Sequence, residues 1–155
     1  MKYPVYMHQP EIDLIEQNIW GSVLEWGCGG STLYFSSLVD EYYSIEHDWK
    51  WYSKISLEAF KEKRENVYLS YVDNEAHFIK YITYPDNFNQ KFQSILIDGR
   101  FRTACAIKAL DYLTKEGLLF FHDFFQRSYY WSILDYYEIV DKIETGQTLA
   151  ILKPK

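Results

Sequence analysis

The stretch Val23-Leu-Glu-Trp-Gly-Cys-Gly-Gly-Ser-Thr32 constrains this chain more than any other. Val23, Leu24 and Trp26 suit a short buried strand. Gly27, Gly29 and Gly30 let the backbone turn sharply and lie close to a ligand. Ser31 or Thr32 can cap the helix that follows, read over residues 31–38. A strand, a glycine turn and a helix start make a recurrent nucleotide site, because free amide hydrogens and the helix dipole face the ligand. The spacing is Gly-x-Gly, with Thr32 where a dinucleotide fingerprint carries its third glycine. Glu25, two residues before the first glycine, would repel a pyrophosphate and suits a ligand carrying an ammonium group.

The flanking patterns extend this unit in both directions. Residues 1–9 are aromatic and irregular. Pro10 opens a helix to about Trp20, with Glu11 and Asp13 in its first turn and Ile12, Ile15 and Ile19 as its apolar stripe. Residues 41–46 form a second strand ending in Glu46-His47-Asp48, and Asp48 caps a helix to about Arg64. Residues 67–72 alternate as a third strand that ends at Asp73. A short helix over 75–82 and a turn at Tyr84-Pro-Asp-Asn87 follow. Ser94-Ile-Leu-Ile-Asp98 is a fourth strand, apolar until its last residue. The spacing then predicts a helix over 103–115, with Gly117 beyond its end, and a fifth strand over 118–121 that runs into His122-Asp123. A helix over 128–134 precedes two strands, 136–143 and 148–152, joined through Gly146 as a hairpin.

Strands alternating with helices imply a Rossmann-like, doubly wound α/β fold: a mostly parallel sheet with helices on both faces. Ligands of such sheets sit outside the carboxyl ends of the strands. Here those ends carry Glu25, Glu46, Asp73, Asp98 and Asp123. A length of 155 residues fits one domain, 1–155, with a real core. The net charge of −6 argues against general nucleic-acid binding and against an anionic membrane surface. The two cysteines, Cys28 and Cys105, fall in the turn and in a helix, which favours a reducing compartment over a disulfide. No apolar run reaches membrane-spanning length and the start of the chain lacks a signal-peptide pattern, so a cytoplasmic protein is expected.

These residues resemble the class I S-adenosylmethionine-dependent methyltransferases. The resemblance is carried by Glu25-Trp-Gly-Cys-Gly29, Ser44-Ile-Glu46, Tyr71-Val-Asp73, Ile97-Asp-Gly-Arg100 and His122-Asp123. It covers nearly the whole chain, the terminal hairpin included, and implies about seven strands with the last antiparallel. The segment Ile-Asp-Gly-Arg-Phe-Arg and the pair His-Asp look like a small bacterial and viral methyltransferase-like group.

The resemblance implies S-adenosylmethionine as cofactor. Glu25 and Gly27 would hold its methionine end, and Gly29 would permit close backbone approach. The helix start at Ser31 and Thr32 would border the ligand. Glu46 would accept from both ribose hydroxyls. His47 would flank the adenine, Asp73 would accept from its amino group, and Asp98 would lie beside the methyl. The expected reaction is O-methylation of a small molecule, and a dimer partner could close the pocket.

Two mechanisms fit the strand ends. Asp98 and Asp123 could hold magnesium, which would lower the pKa of the acceptor hydroxyl. Alternatively His122 serves as a general base without metal. Two rival functions stand beside this reading. One is a module that binds the cofactor without turnover. The other is an NAD-dependent oxidoreductase, against which Thr32 and Glu25 both count. Arg100 and Arg102 would grip an anionic substrate or neutralise the acids around them.

Overall fold

The computed structural model describes residues 3–73 and 78–155. Helix α1 (Gln9–Asn18) leads into β1 (Ser22–Trp26), and α2 (Gly30–Phe35) follows the glycine turn. Next come β2 (Glu41–Glu46), α3 (Trp49–Lys61), β3 (Val67–Tyr71), α4 (Phe78–Thr83) and β4 (Phe92–Ile97). The chain closes with α5 (Arg102–Ala109), β5 (Leu113–His122), β6 (Tyr137–Ile143) and β7 (Leu149–Pro154). The seven strands form one sheet in the order β3-β2-β1-β4-β5-β7-β6. Strands β1 to β5 pair in parallel, while β7 runs antiparallel to both β5 and β6. This is the doubly wound sheet with a terminal hairpin that the strand pattern implies. Among the described residues no helix is long and apolar enough to cross a membrane.

The central strands are apolar on both sides because both sides are covered. Leu24, Trp26, Ile95, Ile97 and Phe121 face one layer with α4 and α5. Val23, Leu96 and Phe120 alternate to the other face, against α1 and Phe35 of α2. With both faces packed, the only open ground along β1 and β4 is at the strand ends. That is what places a cleft there.

Two expectations need correction. The helix expected over 103–115 ends at Ala109, and β5 starts at Leu113 rather than 118. Leu113 pairs with the fully buried Phe92 across a bulge that lies between Phe92 and Ser94. Gly117 sits inside β5, where an added Cβ would come within 2.8 Å of Leu113 Cδ2 and 3.1 Å of the Phe92 carbonyl. The glycine that reads as a helix end therefore serves the close approach at an irregular strand pairing. The segment read as a helix over 128–134 forms a 3-10 helix, Ser128–Asp135. The start of the helix expected over 75–82 lies outside the described residues, as do Asn74 and His77.

Candidate active site

The turn after β1 is fastened from below by a single buried acid. Glu25 is fully buried, and the Ser31 and Thr32 hydroxyls each donate to its carboxyl at 2.6 Å. Thr32 Oγ1 in turn accepts from the Gly29 amide at 3.0 Å. Ser44 Oγ lies 3.0 Å from Glu25 Oε2 and 2.9 Å from the Gly27 carbonyl. A hydroxyl has one proton to give. Both Ser44 contacts are satisfied when Ser44 donates to Gly27 and a protonated Glu25 donates to Ser44. Burial drives the Glu25 pKa up to about 8, against the hydroxyl bonds that favour its charged form. Glu25 thus ties both arms of the turn, Gly27 and Gly29, to the sheet. Three hydroxyls surround it where the sequence suggested an ammonium group.

This gives a pH dependence with a definite sign. A folded pKa of about 8, above the ordinary carboxyl value of 4.5, means the folded chain keeps a proton that the unfolded chain releases. The contribution is intact at acid pH and is lost as pH rises through that window. Urea unfolding of wild type should therefore show stability falling from pH 5 to 8, by on the order of 4 kcal/mol at most from this group. Glu25→Gln should flatten that slope. An unchanged slope would show that Glu25 is ionised in its nest.

The turn itself has no room for side chains. Gly27 adopts φ 102°, and an added Cβ would lie 2.9 Å from the Gly99 amide nitrogen. The turns after β1 and β4 are in backbone contact at this point. Gly27→Ala should cost roughly 1–3 kcal/mol from backbone strain alone. Thermal unfolding checks this, with an expected fall of roughly 3–10 °C in Tm.

Glu46 closes the next strand end. It is 4% exposed, and its carboxylate accepts the amides of Cys28, His47 and Asp48, all at 2.8 Å. His47 Nδ1 lies 3.0 Å from Glu46 Oε1. Burial pushes the Glu46 carboxyl up, but the His47 contact and the amides outweigh it and hold its pKa below the ordinary value. Trp51 adds a second clasp on the turn, donating its indole N–H to the Cys28 carbonyl. Asp48 caps α3 by accepting the Trp51 amide at 2.8 Å.

Two adjoining cavities open over these ends. The smaller, about 590 Å³, has Gly27, Gly29, Ser31, Glu46, His47 and Asp98 in its wall, and Val5–Met7 on the far side. The larger, about 1190 Å³, runs past His47 and Asp73 to Tyr129 and Tyr130. Both share His47, Asp48, Lys50, Gly99, Arg100 and Arg102, so they form one cleft across the loop after β4. The expected cofactor residues Gly27, Gly29, Ser31, Glu46, His47, Asp73 and Asp98 are thus gathered along it. Glu25, Thr32, His122 and Asp123 stand behind the wall rather than in it.

The ends of β4 and β5 meet in a tight ionic cluster. Asp98, His122 and Asp123 each offer a ligand atom within 4.8 Å of the others. Arg102 fills the position a cation would take. Its guanidinium donates to Asp123 Oδ2 at 3.0 Å and to the carbonyls of His122 and Asp98 at 2.7 and 3.0 Å, and lies 3.3 Å from Asp98 Oδ1. Against the expectation of magnesium on Asp98 and Asp123, the Arg102 guanidinium, an internal cation, already lies against both carboxylates, and the cluster adds an imidazole where magnesium favours oxygen. Arg102 neutralises the acids.

His122 is 3% exposed, with Nδ1 2.8 Å from Asp98 Oδ1. Its Nε2 is turned away from the cleft, 3.9 Å from Glu11 Oε2 in α1. Burial lowers the imidazole pKa, but the Asp98 bond and the charges of Asp98 and Asp123 outweigh it and leave it raised. Glu11 is itself fully buried, with its pKa raised by burial. Asp98 is the member of this cluster that faces the cleft.

Two residues escaped the sequence reading. Ser44 is the one small residue of β2, set between Tyr43 and Ile45, which is a usable signal. Glu11 reads as an ordinary helix-start acid, and nothing in its neighbours tells of the buried partner on β5.

No family model and no curated relative matches the sequence. Solved structures do. A methyltransferase-like protein from Silicibacter pomeroyi superposes with a TM-score of 0.77 at 18% identity, covering 98% of this chain and 89% of that one. An rRNA methylase from Streptococcus thermophilus gives 0.69 at 14% identity, with 95% of each chain covered. A Streptococcus mutans protein described as a methyltransferase, solved in complex with SAH, gives 0.67 at 12% identity, with 96% and 100% covered. At these identities the likeness is one of fold. The chain has the Rossmann-like class I methyltransferase fold.

Proposed function

We propose that this chain is an S-adenosylmethionine-dependent methyltransferase that O-methylates a small molecule in the cytosol. One observation carries the reading. Glu46 lines the smaller cavity and binds the Cys28 amide, so the glycine turn and the acid of β2 present one continuous surface to a nucleoside with an amino-acid tail. The residues present fit that ligand. The Gly27–Gly29 backbone and Ser31 would hold the tail, Glu46 the ribose, and His47 with Asp73 the base. The acid of Glu46 keeps acceptor capacity on Oε2 beyond the Cys28 bond.

The cofactor supplies a methyl on a sulfonium, an activated leaving group that needs no covalent help from the chain. With that group bound, an acceptor oxygen would take the methyl and the sulfur would leave as a neutral thioether. The acceptor's proton would pass to Asp98, which faces the cleft with His122 behind it and Arg102 beside it. These two neighbours fix the carboxylate's orientation. The chain's work is alignment and exclusion of water.

Calorimetry with S-adenosylhomocysteine and with NAD tests cofactor class. Micromolar or tighter binding of the former alone is expected. NAD binding without S-adenosylhomocysteine binding would overturn the reading in favour of an oxidoreductase. Transfer of labelled methyl from S-adenosylmethionine to a panel of phenols and carboxylic acids separates an enzyme from a silent binding module.

A further inference from the structure

Three acids of the cleft are already answered from within the chain. Glu46 accepts three amides, Asp48 accepts the Trp51 amide, and Asp98 faces Arg102 and His122. Three of its cations are not. Among the described residues no carboxylate lies within ion-pair distance of Lys50, Arg100 or Arg127, all of which line the larger cavity. Arg127 donates to the neutral Tyr129 hydroxyl, at 2.8 Å. The chain carries 22 acidic and 16 basic residues, so unanswered cations gathered at one opening run against its average charge.

The cofactor does not account for all of them. S-adenosylmethionine sets a sulfonium and an ammonium against one carboxylate, so it is cationic overall and a cationic rim repels it. Its single carboxylate could be met by Lys50 and Lys54, which stand beside the glycine turn in the smaller cavity. Arg100 and Arg127 are left over.

Rings accompany these two guanidinium groups. Trp49, Phe101 and Tyr129 line the same cavity while remaining 58%, 45% and 58% exposed. Exposed rings gathered at an opening mark a contact surface. Phe101 holds a left-handed backbone at φ 52° although it is not glycine. Such strain, about 1–3 kcal/mol, persists only where its surroundings impose it, and it collects at ligand clamps. Both Arg100 and Arg102 line the two cavities, and the left-handed turn between them leaves Arg102 bonded to the acids of the cluster while Arg100 has no carboxylate within ion-pair distance among the described residues.

We infer that the acceptor is a small anion built on a flat ring. Its carboxylate or phosphate is bound by Arg100 and Arg127, and its ring by Trp49, Phe101 or Tyr129. A guanidinium fork matches either anion, and an aromatic face stacks on a flat ligand. The inference rests on the methyltransferase reading, because it assigns the acceptor of that reaction.

Calorimetry on the full chain tests it, in two stages that fail separately. The first titrates S-adenosylhomocysteine alone; no binding there defeats the methyltransferase reading. The second titrates the S-adenosylhomocysteine-loaded protein with 4-hydroxybenzoate, uridine monophosphate, uridine and a short oligouridylate. At least one of the two small anions should bind about tenfold or more tighter than uridine, and should weaken as salt is raised. A preference for the benzoate assigns a carboxylate acceptor, and a preference for the monophosphate assigns a phosphate. Arg100→Gln with Arg127→Gln should abolish that preference while S-adenosylhomocysteine still binds, which reports a folded variant. The inference is overturned if uridine binds as well as both anions, if neither anion binds, if the double variant keeps the preference, or if the oligomer binds far tighter than the monophosphate. The last result would assign an RNA acceptor.

Discussion

Replacing Glu46 with alanine is expected to weaken S-adenosylhomocysteine binding about a hundredfold or more and to lower stability by about 2–4 kcal/mol. The stability loss follows from the amides of Cys28, His47 and Asp48, which all lose the acceptor they share. Water reaches this position poorly, since Glu46 is only 4% exposed. The affinity loss follows from the ribose hydroxyls losing a charged acceptor, each such bond contributing roughly 1.5–3 kcal/mol. Glu46→Gln separates the two effects. It keeps one acceptor oxygen but no charge, so it should retain much of the fold and lose most of the affinity. The pH dependence supplies a further check. The folded Glu46 pKa is lowered, so its contribution is present above the ordinary carboxylate value and is lost as pH falls through and below it. The Gln variant should lack that acid limb. Full affinity in Glu46→Ala would mean that the ligand does not use this strand end, and the nucleoside reading would fall with it.

The second large effect is expected at Arg102. Arg102→Leu removes the guanidinium that links Asp98, Asp123 and the carbonyls of Gly99 and His122. Two carboxylates then face each other beside the buried Glu11 with only His122 to offset them. Breaking a buried pair costs 3–5 kcal/mol, but these side chains are 16–31% exposed, so about 2–3 kcal/mol is the discounted expectation. Thermal unfolding should show a fall of roughly 5–10 °C. Arg102→Lys should restore little, because one ammonium cannot span four acceptors in a plane. Because the guanidinium already neutralises the pair, chelator should leave wild-type stability and S-adenosylhomocysteine affinity unchanged. A wild type that loses stability in chelator, or an Arg102→Leu variant as stable as wild type, would restore the magnesium expectation for Asp98 and Asp123.

The two arginines of Ile-Asp-Gly-Arg-Phe-Arg show how far sequence reading reaches. Both were candidates for gripping an anion or for neutralising acids, and spacing could not separate them. The backbone separates them. Phe101 takes a left-handed conformation, after which Arg102 opens α5 and is bonded to Asp98, His122 and Asp123, while Arg100, also in the cleft wall, has no carboxylate partner among the described residues. Two of the groups that hold Arg102, the His122 carbonyl and the Asp123 carboxylate, are 20 and 21 residues away at the end of β5, so no local pattern records the choice. Glu25 is a similar case. Its position two residues before Gly27 marked it as important, but the three hydroxyls that enclose it come from α2 and β2.

What the amino-acid order determined by itself is local and periodic. Apolar runs fully buried on both faces, glycines at a sharp turn, a capping Asp48 and acids at strand ends are set by short-range sterics and by the need to bury surface. They specify a doubly wound sheet and the edge on which a ligand can lie. What tertiary structure alone decided is which charges meet. Ion pairs such as Arg102 with Asp123, or His122 between Asp98 and Glu11, depend on the register of distant strands, and their energies vary steeply with distance and burial. Hence the cleft could be located from the sequence, whereas the guanidinium set between Asp98 and Asp123, the retreat of His122 behind Asp98 and the freedom of Arg100 became visible only once β4 and β5 lay side by side.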